Sequence, residues 1–243
     1  MTDASPTPDA AGASPGASGR VDPDSPQTPH LDHGIVLWSA PETERAGRPL
    51  LVLLHGYGAD ERDLFGLVPY LPPEFVVAAV RAPLSPPWPA PGYSWYPIEG
   101  LDGRDGDKTT AAASRFLHWL DVVAPAPAPV GMLGFSQGGA VALQAMRLEP
   151  ERFAFAVNLS GYATPGDLPG DASLAERKPP VFWGRGTNDD VIPEFLVAHS
   201  VDWLPAHVEL SGRVYAGLTH SVSEQELTDV RTFLDKQLEA LAG

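Results

Sequence analysis

The chain contains no cysteine. Disulfides, cysteine-ligated zinc and thiolate catalysis are excluded together, and a cytoplasmic enzyme needs none of them. Basic residues are scarce: 16 Lys and Arg stand against 31 Asp and Glu, for a formal net charge of −15. That sign disfavours nucleic acid, whose phosphates need a basic surface, and gives no attraction to anionic headgroups. Solubility is the simple reading of the charge. Long apolar runs are also lacking, so no membrane span is expected. The start, Met1-Thr2-Asp3-Ala4, has neither the basic residues nor the apolar stretch of a secretory signal, and a cytoplasmic location is the expectation.

What is present suits one α/β domain. The 243 residues are 43% hydrophobic, enough for a sizeable core with length to spare. Residues 1–33 are rich in Pro, Ala, Ser, Gly and Asp, and after Met1 their only large aliphatic residues are Val21 and Leu31. No core can form from such a composition, so this stretch reads as a disordered, dispensable tail and residues 34–243 as the domain.

From Ile35 onward, short apolar runs recur: 35–38, 49–54, 75–80, 130–135, 154–159 and 180–183. Continuous runs of this kind suit strands buried on both faces, and 208–215 reads as a last, more exposed strand. Helical patterns fall between them, at roughly 61–70, 107–123, 137–148, 192–203 and 222–241. Alternation of strand and helix predicts an α/β fold with a mostly parallel central sheet and helices on both faces. Residues 81–106 and 161–179 break the rhythm and read as irregular excursions. Loops at the carboxyl ends of such strands build sites.

The sharpest local signal is Gly134-Phe135-Ser136-Gln137-Gly138, a G-x-S-x-G pattern between an apolar strand and a mostly apolar helix. Small residues two before and two after the serine let it sit on a tight strand-to-helix turn. Ser136 is the candidate nucleophile, at a helix N-terminus whose field favours developing negative charge. The base must follow in the order Ser, acid, His. His199 lies within a helical pattern and His207 at a strand start, whereas His220 sits in the loop between the last strand and last helix. His220 is the candidate general base. The run 181–193 carries a strand into a polar loop holding Asp189 and Asp190, and spacing alone does not choose between them as the acid. The loop Leu54-His55-Gly56-Tyr57-Gly58 follows a strand, which nominates the backbone N–H groups of Tyr57 and Gln137 as an oxyanion hole. His55 reads as a structural brace of that loop.

Together these residues resemble the phospholipase/carboxylesterase family of α/β-hydrolases, which includes the acyl-protein thioesterases. The likeness rests on Leu54-His55-Gly56-Tyr57-Gly58-Ala59-Asp60-Glu61, Gly134–Gly139, Gly186-x-x-Asp189-x-x-Ile192-Pro193 and Gly217-Leu218-Thr219-His220-Ser221. That register picks Asp189 as the acid. It implies an α/β-hydrolase fold without a large lid, an esterase acting on small-molecule carboxylic esters of short to medium chain length, no metal and no cofactor. Thioesters and lysophospholipids are alternatives on the same triad, and the resemblance admits a homodimer. Arg81-Ala82-Pro83 and the pair Trp95 and Tyr96 suit the family's substrate-side loop, although Tyr96-Pro97 departs from the usual aromatic-Asp step. Trp88, Tyr93, Trp95 and Tyr96 could line an acyl pocket or pin the long loop to the core; the resemblance favours Trp95 as substrate-binding. A hydrolase fold that only binds a partner is the competing class; it has no need to keep Ser136, Asp189 and His220 together.

Overall fold

The computed structural model describes residues 30–98, 105–124 and 130–242. Seven strands form one sheet: β1 (Val36–Trp38), β2 (Leu50–Leu54), β3 (Val76–Val80), β4 (Val130–Phe135), β5 (Phe153–Leu159), β6 (Pro180–Gly186) and β7 (Glu209–Tyr215). Their order is β1-β3-β2-β4-β5-β6-β7. Among these seven strands the β1–β3 pairing is antiparallel and the others are parallel. β2 and β3 are buried throughout, while β7 closes an edge and is largely exposed. The continuous apolar runs and the mixed last run predict this difference.

Among the described residues six helices cover the sheet: α1 (Glu61–Phe65), α2 (Gly106–Val123), α3 (Gln137–Leu148), α4 (Asp171–Arg177), α5 (Glu194–His207) and α6 (Glu224–Ala242). On one face, Val52, Leu54, Ala78 and Met132 meet Phe116 and Leu120 of α2 and Val141 and Met146 of α3. On the other, Leu51, Leu53, Val77, Val157 and Phe182 meet Leu64 of α1 and Val230, Phe233 and Leu234 of α6. Alternate residues of each strand thus enter opposite cores, as the pleat requires. Among the described residues, no helix is long and apolar enough to cross a membrane.

The departures from expectation have local causes. The helix expected over 61–70 stops at Phe65; Val68–Tyr70 is a separate 3-10 turn with Pro69 in its first positions. α5 begins at Glu194, after Pro193, and runs on to His207. The excursion at 161–179 contains α4, whose one buried residue is Leu174. Leu31, grouped with the tail by composition, is buried in the core. Part of the expected tail and part of the 81–106 excursion lie outside the described residues.

Candidate active site

Ser136 sits between β4 and α3 with φ 53° and ψ −115°. A side chain at positive φ is strained, and the surroundings hold it there. The Ser136 N–H donates to the Leu159 carbonyl at 2.8 Å, and its carbonyl accepts from Ala140 at 3.1 Å. The flanking glycines allow the tight approach: a Cβ on Gly134 would overlap the Gly138 carbonyl, and one on Gly138 the Leu54 carbonyl. Ser136 therefore stands at the carboxyl end of the central strand.

The loops after β6 and β7 bring two further groups to it. His220 Nε2 lies 2.8 Å from Ser136 Oγ, and His220 Nδ1 lies 2.8 Å from Asp189 Oδ2. The other Asp189 oxygen accepts the N–H groups of Val191 at 3.0 Å and Ile192 at 3.3 Å, which fixes the carboxylate. Asp190 is exposed and has no part in this chain of bonds. The Phe135 ring packs against the imidazole with centroids 4.9 Å apart. His199 and His207 lie elsewhere, the latter stacked on Trp203 with centroids 4.0 Å apart.

Tyr57 follows β2 and Gln137 opens α3. Neither N–H has a backbone acceptor among the described residues. Buried polar contacts brace the Tyr57 loop. His55 places Nδ1 2.7 Å from the Gly56 carbonyl and accepts the Ala82 N–H on Nε2 at 3.0 Å. One nitrogen donating and the other accepting is the neutral imidazole, and burial lowers the His55 pKa, which suits that form.

Trp95 and Tyr96 are both buried in the core. The Trp95 indole N–H donates to the His55 carbonyl at 2.9 Å. The Gln137 side chain accepts the Trp95 N–H at 2.8 Å and donates to the Tyr96 carbonyl at 2.7 Å. Tyr96 and Tyr162 share a hydroxyl contact of 2.5 Å. Of the two readings of these aromatics, such burial fits pins that tie the long loop to the His55 loop and to α3. It does not fit a substrate-facing wall. Trp88 is 92% exposed and supplies no such tie.

Two networks escape a local reading of the sequence. Arg81 grips Glu61 through two hydrogen bonds of 2.6 Å and reaches the Tyr93 hydroxyl at 3.1 Å. Arg147, fully buried in α3, bonds both Asp171 oxygens at 2.7 Å and the Thr164 and Gly166 carbonyls, holding the loop after β5. The Glu61 and Arg81 residues stood in the resembling motifs, which was the available signal for the first. An arginine among apolar helix residues was the only signal for the second.

The family model described as Phospholipase/Carboxylesterase matches residues 40–238. The chain belongs to the phospholipase/carboxylesterase family. Among curated proteins it is similar to "Acyl-protein thioesterase 1" of Saccharomyces cerevisiae, 34% identical over 109 residues that cover 43% of this chain and 48% of that protein. The chain thus spans about half the length of the yeast thioesterase it matches. A longer match is to "Probable carboxylesterase Os04g0669600" of Oryza sativa subsp. japonica, 27% identical and covering 78% of this chain and 88% of that protein. Among solved structures, esterase PE8 aligns with a TM-score of 0.67 at 27% identity, covering 83% of this chain and 96% of that chain.

Proposed function

We propose that this protein is a serine carboxylesterase in which Ser136, His220 and Asp189 act as a catalytic triad on short- to medium-chain carboxylic esters. The observation that carries the reading is the unbroken chain Ser136 Oγ–His220–Asp189, with both links at 2.8 Å. His220 Nε2 takes the serine proton as Oγ attacks the ester carbonyl. Asp189 receives the Nδ1 proton in a hydrogen bond, fixes the tautomer and stabilises the imidazolium. The Tyr57 and Gln137 N–H groups hold the oxyanion; one such donor is worth on the order of a hundred- to a thousand-fold in rate. His220 returns the proton to the departing alcohol. Water, deprotonated by the same imidazole, then releases the acid from the acyl-enzyme.

The thioesterase names among the relatives favour a second reading on the same triad, cleavage of thioesters. The test is hydrolysis of a p-nitrophenyl ester series, acetate to long acyl chains, alongside the matching thioesters. Wild type should turn over esters with an optimum in chain length and take a fluorophosphonate label. Ser136→Ala should lose both. Turnover that survives in a clean Ser136→Ala preparation rejects the triad. A large preference for thioesters moves the activity to the second reading.

A further inference from the structure

A cavity of about 430 Å³ opens behind the acid of the triad, lined by Ser160, Trp183, Arg185, Asp189, Ile192 and Val197 among others. Its size falls in the range of small-ligand pockets, about 300–1,000 Å³. Neither Ser136 nor His220 lines it; its wall reaches them through two neighbouring residues. Asp189 on its wall holds His220. Gly161, also on its wall, packs so closely behind the nucleophile that a Cβ there would come within 2.9 Å of the Ser136 carbonyl.

The lining is mixed in a particular way. Trp183, Ile192 and Val197 offer apolar surface. Arg185 is half-buried, its guanidinium over the Trp183 ring at 5.5 Å, and its Nε is buried with no acceptor. No ion-pair partner for Arg185 is present among the described residues. The buried Ser160 hydroxyl, at a backbone φ of 49°, is likewise without a partner. Two carboxylates, Asp189 and Glu194, also face the cavity, and neither forms an ion pair with Arg185 among the described residues. Asp189 has both oxygens committed to Val191, Ile192 and His220. Glu194 stands exposed in the first turn of α5. An unpaired guanidinium in a partly dehydrated pocket is a receptor for a planar anion, which it can grip with two parallel N–H bonds.

We infer that this cavity binds the anionic end of the substrate's acyl group, a carboxylate on an apolar stem, with Arg185 as the specificity-determining residue. The inference rests on the esterase reading above and narrows its substrate class from neutral esters to half-esters of dicarboxylic acids.

The test compares ethyl hydrogen adipate with ethyl hexanoate, matched in chain length, by ethanol release. Wild type should favour the charged ester in kcat/KM by about tenfold or more, as a charge-assisted bidentate contact supplies. In Arg185→Gln the charged-to-neutral ratio should fall to about one or below, with the change carried by KM. Arg185→Lys should keep part of the preference, because the charge remains and the fork is lost. Wild type that hydrolyses ethyl hexanoate with no preference for the charged ester overturns the pocket and leaves the triad standing. Calorimetric titration of wild type and Arg185→Gln with adipate keeps the two readings separate. Binding to wild type alone supports the pocket even if no ester is turned over. Equal binding to both proteins, or to neither, overturns it and leaves Arg185 a residue stacked on Trp183.

Discussion

The two flanks of Ser136 are built differently, and two buried glutamates show how. On the side of β2 and β3, Glu61 has a side chain only 3% exposed, and Arg81 meets both of its oxygens at 2.6 Å. Those hydrogen bonds pull its pKa below the ordinary glutamate value against the opposing pressure of burial. On the side of β6 and β7, Glu226 is fully buried at the start of α6, packed on Gly184, and neither oxygen has a hydrogen-bond partner among the described residues. Burial pushes its pKa up to about 7; the nearby Ser223 amide relieves it in part and Asp229 adds repulsion. The first glutamate is thus satisfied and the second is left open.

The fasteners differ in the same sense. The oxyanion flank is tied by buried side chains: His55 to Ala82, Trp95 to His55, and Gln137 to the backbone of Trp95 and Tyr96. The acid–base flank is stitched mainly by backbone bonds between its loops, Thr187 to Tyr215 at 3.0 Å and Asn188 to Leu218 at 2.9 Å. Donors that must meet a developing oxyanion gain from being fixed in advance. An imidazole that trades protons between serine, leaving group and water needs only its two bonds. Loss of Asp189 should therefore strike turnover, and loss of the Arg81–Glu61 pair should strike stability.

The largest effect is expected at Asp189. Asp189→Asn keeps the shape and the contacts of Oδ1, but an amide can face Nδ1 with the wrong group and favour the wrong tautomer. A loss in kcat on the order of 10⁴ is expected with little change in melting temperature. Steady-state kinetics beside thermal unfolding reads both. A loss of only a few-fold would mean that Asp189 does not orient His220 in turnover.

The opposite flank is probed by Arg81→Met. It removes the cation and strands Glu61 in a buried site, for an expected loss of about 3–5 kcal/mol at pH 7. Glu61→Gln in the same chain should recover much of that loss. The sign with pH follows from the lowered pKa of Glu61. Its stabilisation is present above the unfolded value of 4.5 and disappears as pH falls through the folded value, so the gap between variant and wild type closes in acid. Denaturant unfolding at pH 7 and pH 4 measures it. A loss under about 1 kcal/mol at pH 7 would erase the distinction between the flanks.

Most of the strand framework was legible because burial on both faces leaves an unbroken apolar run, as in Leu50–Leu54 and Val76–Val80. α4 was not, because seven residues with one buried leucine set no period. The nucleophile turn was legible from Gly134 and Gly138, whose missing side chains are a local steric requirement. Asp189 and Asp190 are neighbours with the same local chemistry. Only the position of a histidine 31 residues away separates them, and local spacing is silent on that. Trp95 shows the same limit: an aromatic in a proline-rich loop can face solvent, a pocket or the core, and here the indole turns inward to the His55 carbonyl. Arg147 and Asp171, 24 residues apart, form a pair with no sequence signature at either end.

The smallest effect has the opposite sign. Glu226→Gln removes an ionisable group from the flank that cannot satisfy it. The groups around it give no cation in compensation: Asp229 on the same helix is repulsive and is itself bound by the Tyr215 hydroxyl at 2.9 Å and approached by Arg213 at 3.8 Å. A carboxyl whose folded pKa stands above its unfolded one makes unfolding release a proton between those values. Wild type therefore loses stability as pH rises from 4.5 to about 7, and the cost levels off above that. The separation sets a ceiling of roughly 3 kcal/mol on the effect. Glu226→Gln should be more stable than wild type at pH 8.5, and the advantage should shrink or vanish at pH 5, where wild type is already protonated. Urea unfolding of both proteins at the two pH values reads the difference directly. The same offset at pH 5 and pH 8.5 would show that Glu226 keeps an ordinary pKa, and that the acid–base flank is as well satisfied as its counterpart.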